Sequence, residues 1–172
     1  MQWGGLIPLT PEILKGLVSY DAETGLFTRI FANCNTVKVG DTAGHINTTG
    51  YMHFQLFGRL RLAHRMAWLY VYGVEPEKGL HIDHINGIKI DNRIDNLRVV
   101  TVSGNVQNQR KARVDNTHSG LLGSHWDKKS GKYNAVINVN KVRIFLGAFA
   151  DPMEAHQAYL TAKRELHATC TI

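Results

Sequence analysis

Residues 80–109 place one histidine among carboxylate and carboxamide side chains. Asp83 and His84 are adjacent, and Asn96 and Asn105 follow them. Carboxylate and carboxamide oxygens are the donors that a hard divalent cation prefers. An imidazole has a pKa near neutrality, which suits a general base. These residue types together could hydrolyse a phosphodiester with one metal ion and one base that activates water.

The residues around this quartet predict a strand, a loop, a second strand and a helix. Residues 80–85 predict a short strand, on which the adjacent aspartate and histidine point to opposite faces. Residues 96–100 have the branched, apolar character of a second strand, and Thr101 or Ser103 can cap a helix that runs to about residue 111. This order of elements brings the quartet together. The polar residues of the intervening loop are interpreted as turn formers that bond their own backbone: Asn86, Asp91 and Asn92.

The quartet resembles the motif of the HNH nucleases. In that resemblance His84 is the general base, and the Asn96 side-chain oxygen accepts the other ring N–H. Asp83 and Asn105 are the metal ligands, with Asn105 where many members of the family carry a histidine. Oxygen ligands without a thiolate favour Mg²⁺ or Mn²⁺, and Mg²⁺ keeps several waters and takes substrate phosphate oxygens as its remaining ligands.

Length and composition fit a small protein with a polyanionic partner. The chain has 172 residues, 44% of them hydrophobic, and a net charge of +6, so it can form one or two domains. It has no apolar run long enough to span a membrane and no signal-peptide pattern at its start. The two cysteines, Cys34 and Cys170, lie far apart and form no Cys-x-x-Cys pair. We therefore expect no structural zinc site and a reducing, cytoplasmic setting.

The N-terminal third is predicted to be a β-rich support for the motif. Thr10, followed by proline, begins a helix expected to end near Tyr20. Strands are predicted over residues 25–30, 49–57 and 59–62. His64 and Arg65 begin a helix that Gly73 closes. His64 either faces the active site or is a hydrogen-bonded structural residue, and Arg65 either contacts a phosphate or forms a surface ion pair.

The C-terminal part predicts three strands and a helix. Linker composition over residues 115–120 marks a domain boundary. This divides the chain into two domains, 1–114 and 115–172. Turns near 129–131 and 138–141 separate the strands, and Asp151 opens a helix with alanines at helical spacing. The residues expected in the core beneath the sheet are Tyr133, Ile137, Phe145 and Phe149.

This part resembles the AP2 DNA-binding domain. The resemblance rests on Gly123, the strand around Tyr133, residues 143–149 and the helix around Ala155. It implies a sheet that lies in the DNA major groove and reads it with basic and aromatic residues. Basic residues are concentrated on the strands rather than on the helix, which agrees with that implication. The candidate DNA contacts are Trp126, Lys128, Lys132, Asn134, Asn138, Lys141 and Arg143.

The sequence therefore predicts an α+β protein. A ββα-metal HNH nuclease core with an N-terminal β-rich support is followed by an AP2-like module, a three-stranded antiparallel sheet with one helix. The predicted function is site-specific cleavage of double-stranded DNA, as in phage or mobile-element homing endonucleases, within a bacterial host cell if the chain is phage-encoded. One quartet and no heptad seam predict a monomer that nicks one strand per binding event.

Two other functions compete with this interpretation. One is a DNA-binding regulator that kept the nuclease scaffold without cutting, which the intact quartet disfavours. The other is a general or RNA-directed nuclease, which the dedicated AP2-like module disfavours.

Overall fold

Helices and small β-sheets alternate along the chain in a computed structural model that describes residues 8–32 and 36–172. The chain folds as two units, Met1–Val100 and Thr101–Ile172. This division falls earlier than the predicted boundary after residue 114. The reason is that the segment after Thr101 is bonded to the C-terminal tail. Thr169 Oγ1 donates to the Gly104 carbonyl at 2.6 Å, and Thr171 Oγ1 donates to Asn108 Oδ1 at 2.6 Å.

The first unit begins with helix α1, Pro11–Lys15, whose cap is the predicted Thr10. The Thr10 hydroxyl accepts a hydrogen bond from the Ile13 amide at 3.3 Å. The helix ends well before Tyr20, so the predicted length was wrong. Residues Val18–Tyr20 instead form strand β1, which pairs antiparallel with β2, Phe27–Arg29, and buries Val18 completely. A β-branched residue is well suited to such a strand.

A three-stranded antiparallel sheet and a helix complete the predicted support. The strands are β3, His45–Ile46, β4, Met52–Leu56, and β5, Arg59–Leu62, in the order β3-β4-β5. Helix α2, Ala63–Tyr72, ends at Gly73 as predicted. Apolar side chains from these elements and from β2 form the core of the first unit, among them Phe27, Phe54, Met66 and Leu69.

The motif itself forms a strand pair joined by a loop. Strand β6, Leu80–His84, pairs with β7, Leu97–Thr101, and a single 3₁₀ turn, Ile94–Asn96, precedes β7. Ile82 and Leu97 enter the core of the first unit. The strand pair is therefore anchored to the N-terminal support by apolar contact, as the predicted order of elements requires.

The second unit contains helix α3, Val102–Gln107, which Thr101 caps and which ends before the predicted residue 111. An antiparallel sheet follows in the order β10-β9-β8. Its strands are β8, Ser124–Asp127, β9, Lys132–Val139, and β10, Val142–Phe149. Helix α4, Pro152–Leu166, begins at the Asp151 cap and packs on all three strands. The predicted three-stranded sheet with one helix is confirmed. Within residues 8–32 and 36–172, no helix has the length and apolar character that a bilayer crossing requires.

Phe145 does not lie beneath the sheet, and its predicted core position was wrong. Its side chain is 62% exposed, whereas Ile137 and Ala135 are buried. Phe145 pairs directly with Val136. Directly opposed residues share a face of an antiparallel pair, and successive residues alternate between faces. Phe145 therefore lies on the face opposite Ala135 and Ile137, away from the helix.

Gly25 brings two parts of the first unit into close backbone contact. Its φ is 73°, in the region that favours glycine. A Cβ at this position would lie 2.4 Å from the Arg93 nitrogen and 2.5 Å from the Asn92 carbonyl carbon. The loop between β6 and β7 therefore packs directly on the turn between β1 and β2, without a side chain between them.

Gly25→Ala should lower the free energy of unfolding because the added methyl group meets backbone that cannot move independently. Gly58→Ala is the matched control, since Gly58 has a φ of 74° and no atom within 4 Å of the added Cβ. We expect Gly25→Ala to cost about 1–3 kcal/mol more than Gly58→Ala, the usual range for overpacking. Urea denaturation of both variants measures this difference. Equal costs would mean that the loop does not rest on Gly25.

Candidate functional site

Asn96 organises the loop that follows His84. Its Oδ1 accepts a hydrogen bond from the Asn86 amide at 3.0 Å, and its Nδ2 donates to the Asp91 carbonyl at 2.8 Å. Its own carbonyl accepts from the Ile85 amide at 2.8 Å. The sequence assigned the Asn96 oxygen to the His84 ring. The structure instead uses both ends of this carboxamide to close the loop.

Asn92 is the carboxamide that faces the His84 ring. His84 Nε2 lies 3.3 Å from Asn92 Oδ1. The orientation of this amide is set by its Nδ2, which donates to the Ile90 carbonyl at 3.2 Å. A carboxamide oxygen can only accept, so the contact places the ring proton on Nε2 and leaves the basic lone pair on Nδ1. Sequence reasoning had assigned Asn92 to a turn, because nothing in a loop sequence shows which of its asparagines is buried.

Asn92 is held by the N-terminal support. Its side chain and backbone are only 2% exposed. The Tyr20 hydroxyl donates to its carbonyl at 2.7 Å, and Gly25 packs against its backbone. Burial raises the pKa of Tyr20 to about 12, so the hydroxyl keeps its proton and remains a donor. Strand β1 thus contributes to the position of Asn92 through the hydrogen bond from the Tyr20 hydroxyl.

Burial favours the uncharged form of the His84 imidazole. The residue is buried at the end of β6. Burial lowers its pKa below the ordinary value, against the opposing effects of the Asn92 contact and of the carboxylates of Asp83 and Asp91. A lowered pKa keeps the imidazole neutral at neutral pH, which is the form that can accept a proton.

Asp83 lies beside His84 in sequence and forms an ion pair with Arg98 of β7. Arg98 Nε and Nη2 donate to Asp83 Oδ2 at 3.0 and 2.8 Å. The carboxylate is a hard oxygen donor of the kind that Mg²⁺ or Mn²⁺ takes. Within the described residues no three His, Cys, Asp or Glu side chains cluster as a metal cage.

Two further rings line the site near His84. The His64 ring lies 5.2 Å from the His84 ring, and the Tyr51 ring lies 6.0 Å from it. Lys89 Nζ lies 4.7 Å from the centre of the Tyr51 ring and donates to the Thr49 carbonyl at 2.9 Å. Of the two alternatives for His64, the position beside the predicted base His84 agrees with the distance between their rings. Arg65 forms an ion pair with Glu75, as its structural alternative predicted.

Asn105, the fourth member of the quartet, belongs to the second unit. It is exposed on the short helix α3. The cap of this helix is Thr101, whose hydroxyl accepts from the Gly104 amide at 3.1 Å. Cys170 is a free, half-buried thiol of the same unit, and Cys34 lies outside the described residues.

The second unit presents polar and basic side chains on the face of the sheet opposite α4. Asn134, Asn138 and Lys132 alternate with the buried Ala135 and Ile137 along β9. Arg143 pairs directly with Asn138 and therefore shares its face. The four predicted contacts that lie together on this open face are Lys132, Asn134, Asn138 and Arg143.

The other three predicted contacts occupy different positions. Trp126 pairs with Tyr133, on the side of the sheet that faces α4, and its ring lies 4.9 Å from the Tyr133 ring. Lys128 and Lys141 lie in the turns that follow β8 and β9. A cavity of about 810 Å³ in this unit is lined by Trp126, Asn138 and Lys141, together with Arg113 and other residues.

Comparisons with known proteins each return an HNH endonuclease. Residues 61–107 match the family model of the HNH endonucleases. The chain is 34% identical, over 83 residues, to an uncharacterized HNH endonuclease of Acanthamoeba polyphaga mimivirus. That alignment covers 45% of this chain, and the chain spans only 21% of the length of that relative. A solved structure of the HNH homing endonuclease I-HmuI, described for DNA binding and cleavage, aligns with 26% identity and a TM-score of 0.43. It covers 76% of this chain and 71% of the other.

The loop that carries Asn92 is also braced by a carboxylate. Asp91 accepts from Asn86 Nδ2 at 2.7 Å and from Arg93 Nε and Nη2 at 2.8 and 2.6 Å. These bonds, that from Arg93 first, lower the pKa of Asp91 to about 2. A carboxyl group with a lowered pKa stabilises the fold above its ordinary pKa, and that stability is lost as the pH falls through about 2.

Asp91→Asn should therefore destabilise the protein at neutral pH and much less in acid. The difference in unfolding free energy between wild type and variant should shrink as the pH falls from about 4 towards 2, because the wild-type carboxylate becomes protonated over this range. Chemical denaturation at several pH values measures it. Asp95→Asn, in the same loop, is the control. A difference that stays constant with pH would contradict a contribution from the ionised Asp91.

Proposed function

We infer that this chain, whose residues 61–107 form an HNH endonuclease domain, is a DNA endonuclease that uses His84 as its general base. The observation that carries this inference is the buried His84 ring, oriented by Asn92 and adjacent to the Asp83 carboxylate. The match to the HNH family model supports the reaction class. Hydrolysis of a phosphodiester needs an activated water and charge stabilisation on the phosphate, and these residues are suited to both.

The His84 ring performs the proton transfer in this proposal. Nδ1 takes a proton from the attacking water, while Nε2 keeps its proton through the Asn92 contact. The imidazolium that results is favoured by the carboxylates of Asp83 and Asp91, which act on the charged form of this ring. Because the ring orientation is fixed, the ring does not have to reorient before the proton is transferred, which lowers the entropic cost of the step.

A divalent ion, Mg²⁺ or Mn²⁺, would take the Asp83 carboxylate as its ligand in the first unit, and Asn105 is the second ligand that the sequence resemblance implies. When bound, such an ion stabilises negative charge on the phosphorane and on the leaving 3′ oxygen. Arg98 holds the Asp83 carboxylate through two donors on one oxygen, so the carboxylate is oriented before any ion arrives. Two oxygen ligands leave the remaining positions to water and to the phosphate.

The second unit is proposed to select the DNA site in the manner of an AP2-like module. Arg143, Asn134 and Asn138 are suited to base edges, because arginine grips guanine bidentately and asparagine grips adenine. Lys132 on the same face, and Lys128 and Lys141 in the flanking turns, are suited to phosphates. The orientation of Trp126 towards α4 leaves it out of this proposed surface.

A non-cleaving DNA-binding regulator is the second candidate function. One observation favours it: the polar and basic face of the second unit's sheet could bind DNA without the quartet. The cleavage experiment below separates the two candidates, since a regulator binds DNA without producing breaks.

His84→Ala should lower the cleavage rate by about 10²–10⁴-fold, the usual contribution of a general base, and should leave DNA affinity within a few-fold. Supercoiled plasmids carrying fragments of the source genome are incubated with protein and Mg²⁺ or Mn²⁺, and breaks are mapped by sequencing. A monomer with one active site should first produce the open-circular form. Direct conversion to linear DNA would indicate a dimer on the site.

Two controls accompany this measurement. EDTA should stop cleavage reversibly while the circular dichroism spectrum is unchanged, because the proposed ion is not part of the core. Asp83→Asn should likewise lose cleavage but keep its fold. Cleavage at the wild-type rate by His84→Ala would refute the general base, and binding without any cleavage by the wild type would favour the regulator.

Arg143→Ala tests the proposed reading surface. If Arg143 contacts a base edge, the variant should lose about 1–3 kcal/mol of affinity for the mapped site and much less for a scrambled duplex. If it only neutralises a phosphate, both duplexes should lose affinity and the salt dependence should flatten. Arg164→Ala is the matched control, since Arg164 lies on α4, on the other side of the sheet. Equal losses of DNA affinity in the two variants would mean that Arg143 is not part of the reading surface.

A further inference from the structure

His64 lies in the first turn of α2, next to the proposed base. The residue is only 7% exposed. Its ring centre lies 5.2 Å from that of His84, and the two ring planes meet at 78°. This is the edge-to-face arrangement that pairs of aromatic rings prefer. Helix α2 therefore contributes a flat side chain that contacts the ring of His84.

Tyr51 completes a set of three neighbouring rings. Its ring lies 5.4 Å from that of His64 and 6.0 Å from that of His84. A hydrogen bond to Asn92 fixes one nitrogen of the His84 ring, but the ring can still tilt about that bond. Contact with two further rings limits the tilt. Three elements thus determine one ring orientation: the residue before β4, the first turn of α2 and the loop after β6.

The Nδ1 atom of His64 does not explain why the residue is buried here. Within the described residues, its Nδ1 is buried and has no hydrogen-bond partner. Burial, followed by the proximity of His84 and Arg65, lowers the pKa of His64 to about 3, so the ring carries no charge at neutral pH. For an uncharged ring without a hydrogen bond at that nitrogen, the interactions that matter are its ring contacts with His84 and Tyr51.

We propose that His64 is a positioning residue, whose ring holds the imidazole of His84 at the angle at which it takes a proton from water. This inference rests on the proposed function of His84. It differs from a purely structural role because the ring contact acts on the chemical step. A small misplacement of a catalytic group can lower the rate by about 10²-fold.

The test compares variants at His64 with matched variants at His53. His53 is also 7% exposed and has a buried, unpartnered Nδ1, but its ring packs on His45, at 4.2 Å. Cleavage of a plasmid carrying the mapped site is measured in Mg²⁺ for His64→Phe, His64→Leu, His64→Ala, His53→Phe and His53→Ala. kcat and KM are obtained separately, and each rate is corrected for the folded fraction at the assay temperature.

His64→Phe keeps a flat ring and should retain kcat within about three-fold, because edge-to-face packing on His84 survives. His64→Ala should lower kcat at least ten-fold with KM unchanged, and His64→Leu should fall between them. His53→Ala should lower the melting temperature without lowering kcat. If His64→Ala does not fold, the comparison of His64→Leu with His64→Phe decides the question.

Two results would overturn the inference. Equal kcat losses in His64→Phe and His64→Ala would show that a nitrogen, and not the ring shape, is required. A corrected kcat for His64→Ala equal to that of His53→Ala would show that His64 contributes to folding only and does not position His84. Failure of the proposed function is distinguishable, because the wild type would then not cut, or His84→Ala would cut normally.

Discussion

The contact between Asn92 and the His84 ring is the constraint on which the site depends. It places the ring proton on Nε2 and so determines which nitrogen is basic. The contact is useful only if Asn92 is itself immobile. Its amide is fixed by the Ile90 carbonyl, its carbonyl by the Tyr20 hydroxyl, and its backbone by close packing on Gly25. The strands β1 and β2, which carry none of the predicted catalytic residues, therefore help to set the geometry of the proposed site.

The site is a buried polar network rather than an exposed cluster. Asn96 and Asp91 satisfy the polar groups of the loop, and Arg98 satisfies one oxygen of Asp83. Such networks are rigid when their members are paired, because leaving one group unpaired in a low-dielectric interior is costly. Burial has a second consequence. It lowers the pKa of His84, which favours the uncharged form of the ring, whereas the Asn92 contact that orients the ring raises that pKa.

In the second unit, successive side chains of each strand alternate between the two faces of the sheet. Ala135 and Ile137 are buried, while Asn134 and Asn138 on the same strand point away from α4. One strand thus supplies both the core and an open polar face. The exposed Phe145 lies on that face, opposite Val136, and gives it apolar character between the polar positions. This face of mixed polar and apolar character is the surface proposed to contact DNA.

The sequence by itself determined where several local elements begin, and it singled out Asp83, His84, Asn96 and Asn105 as candidate site residues. The caps Thr10, Thr101 and Asp151 begin their helices as predicted, because a capping side chain bonds an amide only two or three residues away. The order of strand, loop and strand around His84 was also predictable from apolar patterning. Only the tertiary structure decided that α1 stops before Val18, that Phe145 is exposed, and that Asn92 faces the ring. Each of these depends on a partner distant in sequence: β2 for Val18, Val136 for Phe145, and Tyr20 for Asn92. Local propensity cannot show such partners, because burial is a property of the assembled fold and not of a residue's neighbours along the chain.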